Sequence, residues 1–95
     1  MKNAVLEIIK KEKPLLVKEF GVKEIALFGS YARGNAGKDS DVDILVTLTK
    51  PEYSVLAGLL IYLEEKLNKK VDLIRTGPHL TERFFKIIGK DIIYA

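Results

Sequence analysis

The sequence predicts an α/β fold: a small mixed sheet of three to four strands with helices mainly on one face. Two observations carry this prediction. Short apolar runs with strand character, Ile25–Phe28, Val42–Val46 and Val71–Ile74, alternate with longer segments of helical periodicity. Glycine and proline punctuate the junctions, at Gly21, Gly29, Gly34, Pro51, Gly77, Pro78 and Gly89. The 95 residues leave room for one core, so residues 1–95 are expected to form a single domain.

Each element follows from local chemistry. Residues 3–12 place Val5, Leu6, Ile8 and Ile9 at helical spacing, with lysines opposite. Pro14 is expected to begin a new turn, Leu15, Leu16 and Phe20 extend the apolar face, and Gly21 stops it. Lys23–Phe28 reads as a buried strand. Ser30 is expected to cap a short helix, Tyr31–Arg33. A polar loop, 34–40, leads into a second strand, Asp41–Leu48. Pro51 opens a helix to Leu67, Lys70–Arg75 is a third strand, and His79–Ile88 is a last helix stopped by Gly89. Ile92–Tyr94 is a candidate final strand. Phe84 and Phe85 are assigned to the core with Leu80, Ile87 and Ile88.

Composition narrows the chemistry. Nearly half of the residues are apolar and about a third are charged, with a net charge of +3. That is an ordinary globular balance. No apolar run is long enough to span a bilayer, and the start of the chain resembles an amphipathic helix rather than a signal-peptide core. The expected location is cytoplasmic, with no membrane contact. Cysteine is absent and histidine occurs once, so a metal site must use oxygen ligands, which suit magnesium, calcium or manganese. The lysine clusters at 10–13 and 66–70 fall at helix ends, where the macrodipole favours them, and direct nucleic-acid binding is not expected.

One stretch conflicts with its own strand. Asp41 and Asp43 enter an apolar β run, and alternation turns both to one face. Two carboxylates a few ångströms apart repel by roughly 4 kcal/mol at an effective dielectric of 20. A cation would reverse that term. Asp72 repeats the pattern inside the third strand, and the Gly29–Ser30 turn offers N–H groups and a hydroxyl for an anion. Donors for phosphate beside acceptors for a divalent metal suit phosphoryl or nucleotidyl transfer.

These residues resemble a known family. Leu27-Phe28-Gly29-Ser30-Tyr31-Ala32-Arg33-Gly34, followed by Ser40-Asp41-Val42-Asp43-Ile44-Leu45-Val46, is similar to the minimal nucleotidyltransferase (MNT) branch of the DNA polymerase β-like superfamily. The resemblance spans essentially the whole chain and implies a nucleotidyltransferase fold. It implies that Gly29 and Ser30 hold a triphosphate and that Asp41, Asp43 and Asp72 are catalytic and ligate two magnesium ions. Arg33 either contacts phosphate or braces the loop through a carboxylate. The resemblance further implies transfer of AMP from ATP to a hydroxyl, a tyrosine, of a HEPN-type toxin. The chain would then be an antitoxin and part of a hetero-oligomer. The alternatives are a subunit acting on a small aminoglycoside-like molecule, or an antitoxin that works by contact alone.

Several residues have less to say. Lys38 and Asp39 belong to the loop, and Tyr31 to packing. Arg75 either steers a ligand or does not. His79 has no second histidine at ligand spacing. On the long helix, Tyr53, Leu56, Leu60, Leu63 and Leu67, with Val55, Leu59 and Tyr62, form a sector broad enough for a partner or for covering a small sheet.

Overall fold

In the computed structural model, described for residues 3–50 and 53–95, four strands form one sheet in the order β3-β2-β1-β4. The strands are β1 (Val22–Phe28), β2 (Val42–Leu48), β3 (Val71–Arg75) and β4 (Ile93–Tyr94), and the helices are α1 (Ala4–Phe20), α2 (Gly29–Arg33), α3 (Tyr53–Leu67) and α4 (Glu82–Ile88). A 3-10 turn, Gly89–Asp91, links α4 to β4. β1 runs antiparallel to β2 and β4, and β3 runs parallel to β2. The sheet is therefore mixed, as the sequence predicts. The place of Pro51 lies outside the described residues.

The two faces of the sheet are covered unequally. On one, α1 and α3 bury Ile25, Leu27, Val42, Ile44, Val46 and Val71 beneath Ile9, Leu16, Leu59 and Leu63. On the other, Ala26, Phe28 and Leu45 meet only the half-buried side chains of Leu80, Phe84 and Ile88, with Ile74 and Ile92 beside them. Alternation along β1 and β2 produces this division. No residue of α4 is itself buried.

Three local expectations are corrected. α1 passes through Pro14 without a break and ends at Gly21, which takes a left-handed φ of 66°. Pro14 and Lys10 are both exposed, so water can satisfy the Lys10 carbonyl that the proline cannot reach, while Val5, Ile9 and Leu16 hold the helix on the core. α4 starts later than expected. The Thr81 hydroxyl accepts from the Phe84 N–H at 3.2 Å and fixes the helix start there. That start turns Phe84 and Ile88 inward, whereas Phe85 and Ile87 point out, Ile87 at 71 % exposure. On α3, Leu59, Leu63 and Leu67 are buried and Val55, Leu56, Leu60 and Tyr62 lie against the core, so the broad apolar sector is used as cover. Among the residues of α3 whose side chains are described, which excludes Tyr53, Ile61 is the one large apolar residue that faces outward. Among the described residues, no helix is long and apolar enough to cross a membrane.

Candidate active site

The site forms where β1 ends and β2 and β3 begin. Parallel pairing sets Asp43 opposite Asp72, and antiparallel pairing sets Phe28 opposite Asp43. Asp43 shares a face with Leu45, and Asp72 shares a face with Ile74, so both carboxylates stand on the lightly covered side of the sheet. Two hydrogen bonds fix the register. The Val42 N–H donates to the Lys70 carbonyl at 2.9 Å, and the outward N–H of Val71 on the edge strand donates to Glu64 of α3 at 3.0 Å.

Gly29 closes the site from the β1 side. Its φ is +71°, and a Cβ placed there would overlap the Asp43 carboxylate, lying 3.0 Å from Cγ. Glycine is required twice over, by the left-handed backbone and by the carboxylate against it. Gly29 is the first residue of α2 and Phe28 its N-cap, so Ser30 sits inside the first turn instead of capping it. The first N–H groups of so short a helix have no partner within it.

Asp41 lies just ahead of β2, after a turn in which the Ser40 hydroxyl accepts from the Gly37 N–H at 2.8 Å. Asp41 and Asp72 are exposed and Asp43 is half-buried. Burial pushes the Asp43 carboxyl above its ordinary value, the charges of Asp72 and Asp41 push it further, and Arg33 opposes them. The sequence-predicted acids are thus close enough to repel. Among the described residues, no three acidic or histidine side chains converge tightly enough to enclose an ion. An all-oxygen donor set whose negative charges meet at Asp43 nevertheless fits a hard divalent cation.

Arg33 stands at the end of α2 and pairs with Asp91 at 3.5 Å, so its nearest carboxylate is not one of the three acids. Arg75 and His79 belong to the far end of β3, where Arg75 donates to the Thr76 carbonyl at 3.5 Å. The structure does not bring them to the carboxylates. Lys38 and Asp39 lie exposed in the turn before Asp41. Tyr31 packs against the core and carries the Lys69 ammonium 5.7 Å from its ring centre. Sequence reasoning missed the contribution of Glu64, whose signal is only a carboxylate seven residues ahead of a strand start.

Comparison with known proteins identifies the family and the fold. Residues 3–94 match the nucleotidyltransferase domain family. The chain is 40% identical to the protein adenylyltransferase MntA of Thermococcus cleftensis, over 98% of this chain and 91% of that protein. A solved structure assigned as a minimal nucleotidyltransferase superposes with a TM-score of 0.78 at 29% identity, covering 98% of this chain and 95% of the other. A Shewanella oneidensis complex of a tri-AMPylated HEPN toxin with MNT antitoxin shares the fold, with a TM-score of 0.63 at 19% identity, covering 93% of this chain and 69% of that one. On the match over residues 3–94 and the near-complete alignment with MntA, the chain belongs to the nucleotidyltransferase domain family, in its minimal MntA-like form, and is a nucleotidyltransferase.

Proposed function

We propose that this enzyme transfers AMP from ATP to a hydroxyl, a tyrosine, on a HEPN-type partner protein and silences it as an antitoxin. The observation that carries the reading is the in-register pair Asp43 and Asp72 against the positive-φ Gly29. It supplies paired carboxylates and free backbone N–H groups at one end of the sheet. Similarity to MntA favours a protein acceptor, and the solved antitoxin complex favours a HEPN protein as that acceptor and a hetero-oligomer as the working assembly.

In this reading Asp41, Asp43 and Asp72 would hold divalent metal, two magnesium ions, which would supply positive charge against that developing on the transferred nucleotidyl phosphate. Gly29 and Ser30 orient the triphosphate through N–H groups, and Ser30 adds its hydroxyl. Arg33 lies close enough to lower the proton affinity of Asp43 and adds positive charge at the phosphate end. Asp72, on the edge strand, faces the incoming hydroxyl and takes up its proton. The oxygen attacks the α-phosphorus, the bond to the bridging oxygen breaks, and pyrophosphate leaves.

The test is to incubate the chain with α-labelled ATP, magnesium and the product of the adjacent reading frame, expected to be a HEPN protein. Label is expected on the HEPN protein, and on a tyrosine by peptide mass. Asp41→Asn and Asp43→Asn should each lower labelling by roughly 10²–10³-fold, the cost of removing a group that stabilises transition-state charge. Full labelling in both variants would remove the carboxylates from the mechanism. Silencing without any mass shift would favour action by contact.

A further inference from the structure

We infer that Asn3 is a positioning residue for nucleotide binding, acting through α2. The inference rests on the proposed role of Gly29 and Ser30 in holding phosphate.

α2 has few anchors of its own. Tyr31 and Ala32 lie against the core, but none of its five residues is fully buried, and its N-cap Phe28 makes no side-chain capping bond. Helices this short are unstable alone, because the first turn fixes several dihedrals for one hydrogen bond. Its carbonyls have few helical partners: Ser30 O accepts from the Asn35 N–H at 3.1 Å and from the Gly34 N–H. The Tyr31 carbonyl is taken instead by Asn3, whose Nδ2 donates to it at 2.8 Å across 28 residues of chain. The only ion pair found on α2 among the described residues is Arg33 with Asp91, at a long 3.5 Å between partly exposed groups, and such pairs hold little.

Asn3 is itself fixed. It is the N-cap of α1, and its Oδ1 accepts from the Leu6 N–H at 3.1 Å. That bond leaves the amide nitrogen as the group that faces Tyr31. α1 is the 17-residue helix seated on the main core through Val5, Ile9 and Leu16. One side chain therefore ties the shortest helix of the site to the longest helix of the fold. A carbonyl held one residue after Ser30 limits how far the first turn of α2 can tilt.

The two roles of Asn3 separate by substitution. Asn3→Ser keeps a capping hydroxyl and loses the amide donor without adding charge, whereas Asn3→Ala loses both. Calorimetric titration with ATP and magnesium, using the whole chain, is the readout. Asn3→Ser should melt within about 2 °C of the parent, as expected for a retained cap, yet bind ATP about tenfold more weakly, the scale of a misplaced binding group. Manganese binding without nucleotide, followed by electron paramagnetic resonance, should be unchanged, which general loosening of the fold would not leave intact. Asn3→Ala should lose melting temperature as well. ATP binding by Asn3→Ser within twofold of the parent, while Ser30→Ala binds more weakly, would overturn the role of Asn3 and spare that of Ser30. Parent-like binding by both variants would overturn both. Weak binding by Asn3→Ser with parent-like Ser30→Ala would support the inference, with the α2 backbone rather than the Ser30 hydroxyl as the phosphate contact.

Discussion

Asp43 is where stability and chemistry oppose each other. Its carboxyl lies above the ordinary value of 3.8 because of burial first and the charges of Asp72 and Asp41 next. A carboxyl raised by folding stabilises the native state while protonated. That contribution is complete below the unfolded value and is lost as pH rises through the folded one. Metal-free protein should therefore lose stability as pH climbs from about 4 towards neutrality through this group. Asp43→Asn should remove that slope and melt slightly higher than the parent in EDTA at neutral pH, by less than about 1 kcal/mol because solvent screens part of the repulsion. Urea melts of both proteins across pH would measure it, and a less stable variant would contradict the assigned strain. Gly29→Ala carries the opposite prediction. It combines a left-handed φ with overlap on Asp43, and should cost about 1–3 kcal/mol in the same melts. The residue types were legible before the structure was known, because aspartate in an apolar strand and Gly-Ser after one both violate local preference. What they could not reveal was that Gly29 is pressed against Asp43, since that contact belongs to strand pairing.

At the scale of elements, the sequence located the four α-helices and four strands, with every strand start one residue off and the 3-10 turn Gly89–Asp91 unforeseen, and three helix expectations failed for local reasons. Thr81 outcompetes His79 as the start of α4 by accepting from Phe84. Gly29, where the chain turns at a positive φ, opens α2 in place of Ser30. Burial of Val5, Ile9 and Leu16 carries α1 through Pro14, against an intrinsic cost of about 3 kcal/mol for proline in a helix interior. Pro14→Ala should accordingly raise stability, by roughly 1–3 kcal/mol, measured as a shift of the urea midpoint at unchanged slope. Thr81→Ala should lower the protection of the α4 amides by about 1 kcal/mol, read by hydrogen exchange, with little change on α3.

For the whole molecule, the unequal cover of the sheet sets the hierarchy of motion. The face beneath α1 and α3 holds a large closed core, and the face beneath α4 holds three buried residues. Native-state hydrogen exchange should find α4 and the 3-10 turn opening at lower free energy than β1 and β2, in a unit separate from global unfolding. Exchange of α4 at the same free energy as the central strands would contradict this. The binary pattern announced an α/β fold with one face better covered, because burial and periodicity are local properties. The mixed sheet was legible because a long helix joins the second and third strands, but the register that sets Asp43 opposite Asp72 was not, since it is decided only once α3 has packed.

That parallel pairing also guards assembly. Slipping β3 by one residue against β2 would send Asp72 through the sheet, into the side occupied by Leu59 and Leu63. A lone ionised carboxylate there would cost several kcal/mol, comparable to the stability of a domain this size. The charge proposed for catalysis thus also acts as a proofreader of folding, rejecting the neighbouring register before any substrate arrives.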